Sequence, residues 1–198
     1  MGTLLTLGLL TYLAASVNFS IILFKILGQG DPRDLFSGNA GTTNVSRQLG
    51  KLWGAVILLL DVGRAAAIAQ IGVWFLPGPW VPILGLILVI GNQKPMFHGF
   101  RGGKGVAGYL GFTAFISPIT AGVSCLTWVV VFGLFRVTFF GSFFMITVLG
   151  VGTMMRYVWD PLVIVTAGIT MALIFWAHKT NIMAFQKGRM AGEKAEGL

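Results

Sequence analysis

Residues 99–108 read GFRGGKGVAG, two cations and five glycines within ten positions. Glycine lets backbone N–H groups approach a ligand closely, Arg101 offers a planar fork of donors, and Lys104 offers a point charge. Gly102-Gly103-Lys104-Gly105 runs straight into an apolar stretch. The start of a helix, with free N–H groups and a positive dipole end, would then face the same place. This is chemistry suited to an anion. It is not a Walker-type nucleotide loop: the earlier glycine is missing and Lys104 is followed by Gly105, not Ser or Thr.

Two further segments concentrate polar groups in an otherwise oily chain. Ser37-Gly38-Asn39 and Gly41-Thr42-Thr43-Asn44 set hydroxyls, amides and small residues beside Arg47. His178-Lys179-Thr180-Asn181 puts His178 and Asn181 three positions apart, on one helix face, where both can reach one ligand. Taken singly, each segment also suits an ordinary polar loop or helix end. Asp61 and Arg64 share a face inside an apolar run, where a mutual ion pair directed at the bundle is expected. There is no HExxH, CxxC or carboxylate cluster, so no metal or other cofactor is expected. The fifth residue after His98 is Gly103 and after His178 is Met183, so the HX4D pattern of soluble-type acyltransferases is absent. Cys125, the only cysteine, is expected to be a small buried apolar residue.

The elements that must position these groups are membrane helices. Mean hydropathy is +0.85 and only 10% of residues are charged, against about a quarter in soluble domains. Apolar runs, separated by Pro77-Gly78-Pro79, Ser117-Pro118 and Asp160-Pro161, predict an all-α integral membrane protein with seven transmembrane helices. Their expected ranges are 4–27, 51–75, 80–96, 105–116, 119–135, 138–157 and 161–178, in a single domain over 1–198. The fourth is short, and fusing it with its neighbour gives six. Residues 1–10 lack a basic leader, so an uncleaved first span is expected. With the N-terminus outside, Lys25, Arg33, Arg47, Lys51, Lys94, Arg101, Lys104, Arg136, Lys179, Lys187, Arg189 and Lys194 all fall inside. Only Arg156 falls outside. That asymmetry predicts an outside N-terminus and a cytoplasmic C-terminus. It also accounts for the net charge of +8, which then reflects topology and attraction to anionic membrane lipid and gives no reason to expect nucleic acid.

Taken together, the three segments resemble the PlsY family of bacterial membrane acyltransferases. The family patterns SGNxGATNxxR, GGKGVAT and HxxNI read here as Ser37 to Arg47, Gly102 to Gly108, and His178 to Ile182. The resemblance implies a seven-helix fold in the bacterial inner membrane with a cytoplasm-facing site. It also implies acyl transfer from acyl phosphate to sn-glycerol 3-phosphate, giving lysophosphatidic acid and phosphate. Carried over, His178, Lys104 and Ser37 are the candidate catalytic residues. Arg47, Asn181, Gly38, Asn39, Asn44, Gly102, Gly103, Arg101 and, less closely matched, Ser142 are candidates for substrate binding. The chain departs from the family at Phe36 for a usual Gly, Asn92 for His, Arg64 for Lys and Ala65 for Gly. Two other readings stand beside this one: an organic-phosphate transporter, and a catalytically impaired lipid-binding relative.

Overall fold

The computed structural model describes the backbone of residues 1–196, and side chains as far as Gly188. The side chains of Arg189 and Lys194, counted above with the inner face, lie outside the described residues. The first apolar run forms not one helix but two, α1 (Gly2–Ser16) and α2 (Phe19–Ile26). A short α3 (Thr42–Leu49) follows within the segment read as a polar loop, then α4 (Lys51–Phe75). After Pro77-Gly78-Pro79 come α5 (Val81–Gln93), α6 (Val106–Ile116) and α7 (Pro118–Phe135). The chain finishes with α8 (Thr138–Arg156), α9 (Pro161–Trp176) and α10 (Lys179–Glu196).

Among the described residues, five helical stretches are long and apolar enough to cross a membrane, with α1 and α2 counted together. They become six when α9 and the start of α10, bent by 40°, are taken as one. The expected breakers act where placed: Pro118 and Pro161 occupy first helical positions, and the Asp160 carboxylate accepts from Leu162 N–H at 2.9 Å. In lipid there is little hydrophobic drive between helices, so close backbone contact over small residues does the packing. Gly111 of α6 sits so close to the Val62 backbone of α4 that a side chain there would overlap it. Leu84, Leu88, Ala65, Ala69 and Phe112 form one buried core, and Tyr109, Ile146, Leu149 and Ile174 form another around α6, α8 and α9.

The break between α1 and α2 has no proline. Asn18 starts α2, its Oδ1 accepting from Ile21 N–H at 3.0 Å. The freed carbonyls of Ala14 and Val17 accept from Arg64 Nη1. Arg64 Nη2 donates to Asp61 Oδ1 at 2.8 Å, and the guanidinium lies 4.9 Å from the Phe19 ring centroid. The expected Asp61–Arg64 pair is therefore formed, and it clamps a broken helix.

Candidate active site

A cavity of about 430 Å³ opens among α3, α4, the Asn92 end of α5, α6, α7, α8 and α10. Of the expected site residues, Ser37, Asn39, Asn44, Arg47, Gly103, Lys104, Ser142, His178 and Asn181 line it. Gly38, Gly102 and Arg101 do not, and Arg101 is exposed. Arg64 does not line it: its Nη1 and Nη2 serve the Ala14 and Val17 carbonyls and Asp61, and its buried Nε has no partner among the described residues.

Two helix N-termini meet at the polar end. Gly41 to Asn44 open α3, and Gly105 to Gly108 open α6. Gly105 takes φ 89°, a left-handed turn that glycine permits, and Val106, Ala107 and Gly108 then keep N–H groups without backbone acceptors. Thr42 and Thr43 do the same on α3. The glycines expected to bind phosphate through their own amides are used otherwise. Gly102 N–H donates to Gln93 O at 3.2 Å and Gly103 N–H to Asn92 O at 3.0 Å. Neither has positive φ. Both are small because α5 passes against them: a Cβ on Gly103 would lie 2.6 Å from Asn92 Oδ1 and 3.1 Å from Ala40 O.

Lys104 Nζ donates to Asn181 Oδ1, joining the glycine segment to α10. Gln93, which sequence reasoning passed over, donates from Nε2 to Lys104 O at 2.9 Å and to Leu173 O at 3.2 Å, fixing that segment against α9. The signal was there, an amide ending an apolar run. Burial, with the nearby Arg47 guanidinium added, pushes the Lys104 ammonium down to about 8. His178 is buried, with Nδ1 donating to Ile174 O at 2.8 Å, and its ring meets Phe143 edge-on at 5.3 Å. Because the Ile174 carbonyl can only accept, Nδ1 carries the proton and Nε2 of the neutral ring is an acceptor. Ser142 Oγ donates to Thr138 O at 3.2 Å.

The opposite wall is apolar, built from Leu58, Leu110, Trp128, Val129, Phe139 and Met145. Cys125 belongs to it and is exposed, contrary to the expectation of a buried thiol, because α7 turns a lightly packed face outward. Phe36, where the family resemblance leads one to expect glycine, has φ 54°. A left-handed conformation costs an L-residue about 1–2 kcal/mol, partly offset because glycine loses more chain entropy on folding. Phe36→Gly is expected to raise the melting temperature by about 2 °C. A fall instead would mean that the exposed phenyl ring itself holds the loop.

A water-facing cradle of cations and helix ends thus adjoins a slot fit for a hydrocarbon. The sequence pattern described as Glycerol-3-phosphate acyltransferase matches residues 5–188. The chain belongs to that family. A Glycerol-3-phosphate acyltransferase of Methylobacillus flagellatus is 35% identical over 184 residues, 91% of this chain and 92% of that one. The crystal structure of PlsY, an integral membrane glycerol 3-phosphate acyltransferase, in its glycerol 3-phosphate form superposes with a TM-score of 0.88. Identity is 33%, covering 95% of this chain and 94% of that one. Its lysophosphatidic acid form gives a TM-score of 0.84 with the same identity and coverage. As a member of the acyltransferase family, this membrane protein is an enzyme that acylates glycerol 3-phosphate.

Proposed function

We propose that this acyltransferase takes its acyl group from acyl phosphate, in a site facing the cytoplasm of the bacterial inner membrane. The observation that carries this reading is the pairing of a doubly cationic, helix-end cradle with an apolar slot in one cavity. Two phosphate substrates bring about four negative charges to one place. Arg47, Lys104 and the open ends of α3 and α6 are suited to offset them. In the step, the glycerol hydroxyl oxygen bonds to the acyl carbon, the acyl carbon–oxygen bond to phosphate breaks, and phosphate leaves with the electron pair. The proton goes to a phosphate oxygen. The donor is already activated, so orientation and charge stabilisation suffice. Lys104 and Ser37 then act on the reacting phosphate and carbonyl, while Asn181, Asn39, Asn44 and Ser142 orient the substrates. Gly38, Gly102 and Arg101 support the two loops from outside the cavity.

A seven-crossing topology with an outside N-terminus supports the cytoplasmic assignment. Arg156 at the end of α8 donates from Nε to Ile116 O at 3.3 Å, and Tyr157 packs beside Gly78. The end of α6 therefore lies level with the outer turns, which supports reading this short helix as one of the seven crossings.

Purified protein is expected to release lysophosphatidic acid from acyl phosphate and glycerol 3-phosphate, and little or none when acyl-CoA or acyl carrier protein is the donor. Equal rates with acyl-CoA would overturn the donor assignment. His178→Gln is expected to keep more than about a tenth of the turnover, since the 10²–10⁴-fold contribution of a side-chain base is not being used. Among the described residues the His178 ring is oriented by the Ile174 carbonyl and by no carboxylate, which supports this. An inactive His178→Gln that folds and binds glycerol 3-phosphate would instead make His178 the base.

A further inference from the structure

We infer that Asn18, at the break between α1 and α2, is a positioning residue that holds the two anion-binding loops of the site in register. Asn18 is 3% exposed and does not line the cavity. All four of its polar groups are committed, the backbone carbonyl accepting from Ile22 N–H at 3.1 Å within α2. Oδ1 accepts from Ile21 N–H at 3.0 Å and starts α2. Nδ2 donates to Ala40 O at 3.2 Å, 22 residues along the chain. The backbone N–H donates to His98 Nε2 at 3.3 Å, 80 residues away.

Ala40 is the point of leverage. It lies between Asn39 and Gly41 on the cavity wall, immediately before the open end of α3. Its carbonyl also rests against Gly103, where an added Cβ would lie 3.1 Å from it. Gly103 is the residue before Lys104. The Asn18 amide therefore fixes a carbonyl against which both loops are set. The far side is held as well: Arg33 Nη1 donates to His98 O at 2.8 Å and to Arg101 O at 2.6 Å, and Arg33 is itself ion-paired with Asp31. Arg64 anchors the helix end from the other direction through the Val17 carbonyl. A purely structural cap needs only the Oδ1 bond. The Nδ2 and backbone N–H bonds reach the loops.

The proposal rests on the reading of this cavity as the glycerol 3-phosphate site. Asn18→Ser and Asn18→Thr each keep a capping hydroxyl for Ile21 N–H that is too short to bridge to Ala40 O. Both are expected to melt within about 3 °C of the parent. Both should raise KM for glycerol 3-phosphate, and weaken its equilibrium binding, about tenfold, with kcat at saturation little changed. Binding is measured without an acyl donor, so a wrong donor assignment leaves the result intact. A parent that fails to bind glycerol 3-phosphate would overturn the site reading and this proposal with it. A parent that binds, with folded variants matching its KM and binding, would overturn the positioning role alone. Loss of the fold in both variants would show that Asn18 serves the helix start only, and would overturn it equally.

Discussion

Lys104→Ala is expected to abolish most turnover while the protein remains folded. Lys104 Nζ is held by Asn181 between the open ends of α3 and α6, in a partly buried position from which water has been withdrawn. A phosphate left facing that place without its cation loses about 2–5 kcal/mol, or about thirtyfold to several thousandfold in rate. The side chain makes no ion pair with an acid among the described residues, so its removal leaves no buried charge to unfold the bundle. The same residue sets a pH dependence. Its ammonium ionises at about 8 because burial and Arg47 disfavour the charge, and a bound phosphate dianion restores it. Glycerol 3-phosphate affinity should therefore be steady between its own second ionisation, near about 6, and pH 8, and should fall as pH rises further. Lys104→Arg should remove that alkaline fall, since guanidinium stays charged. Binding that is flat to pH 10 in the parent (about two units above the Lys104 ionisation), or near-parent turnover in Lys104→Ala, would show that Arg47 and the helix ends suffice.

Arg64→Met should cost about 3–5 kcal/mol of stability, because it leaves the Asp61 carboxylate buried without its partner and the Val17 carbonyl without a donor, while the Ala14 carbonyl keeps Val17 N–H. The measurement is thermal unfolding in detergent. Arg64→Met with Asp61→Leu should recover much of the loss, as paired removal of a buried ion pair usually does, though the Val17 carbonyl stays unserved. Arg64→Lys is the gentler change: it keeps the charge but not the fork that serves Asp61 and two carbonyls at once. If Arg64→Met melts like the parent, the clamp on the broken helix is not what holds α1 to α4.

The sequence made the helices and most of the cavity legible for definite reasons. Proline and glycine stop helices locally, so the boundaries near Pro118 and Pro161 needed no tertiary information. Asp61 and Arg64 could be paired because two charges one turn apart in an apolar run have little alternative. Ser37, Arg47, Lys104, His178 and Asn181 could be grouped because the family resemblance matches them position by position, and all five line one cavity. What stayed hidden depends on contacts distant in sequence. The interruption at Val17 and Asn18 is maintained by Arg64 and Ala40, 47 and 22 residues away, and no local breaker marks it. The roles of Gly102 and Gly103 looked like backbone freedom and ligand contact, but are closeness to α5, which a glycine-rich pattern alone cannot separate from a phosphate loop. Cys125 was expected inside because cysteine behaves as a small apolar residue, but α7 buries little of its surface.

The brevity of α6 sets where the two kinds of substrate can meet. Its 11 residues rise about 16 Å, roughly half of the hydrocarbon thickness of about 30 Å. With Ile116 held level with Arg156 at one end, the other end, carrying Gly105 and Lys104, begins well short of the rim defined by the longer helices. In the proposed topology the polar cradle is then a well sunk into the leaflet, with its oily wall beside the acyl region. A water-borne headgroup has to come down to this depth, whereas a fatty tail can arrive and depart sideways without leaving lipid.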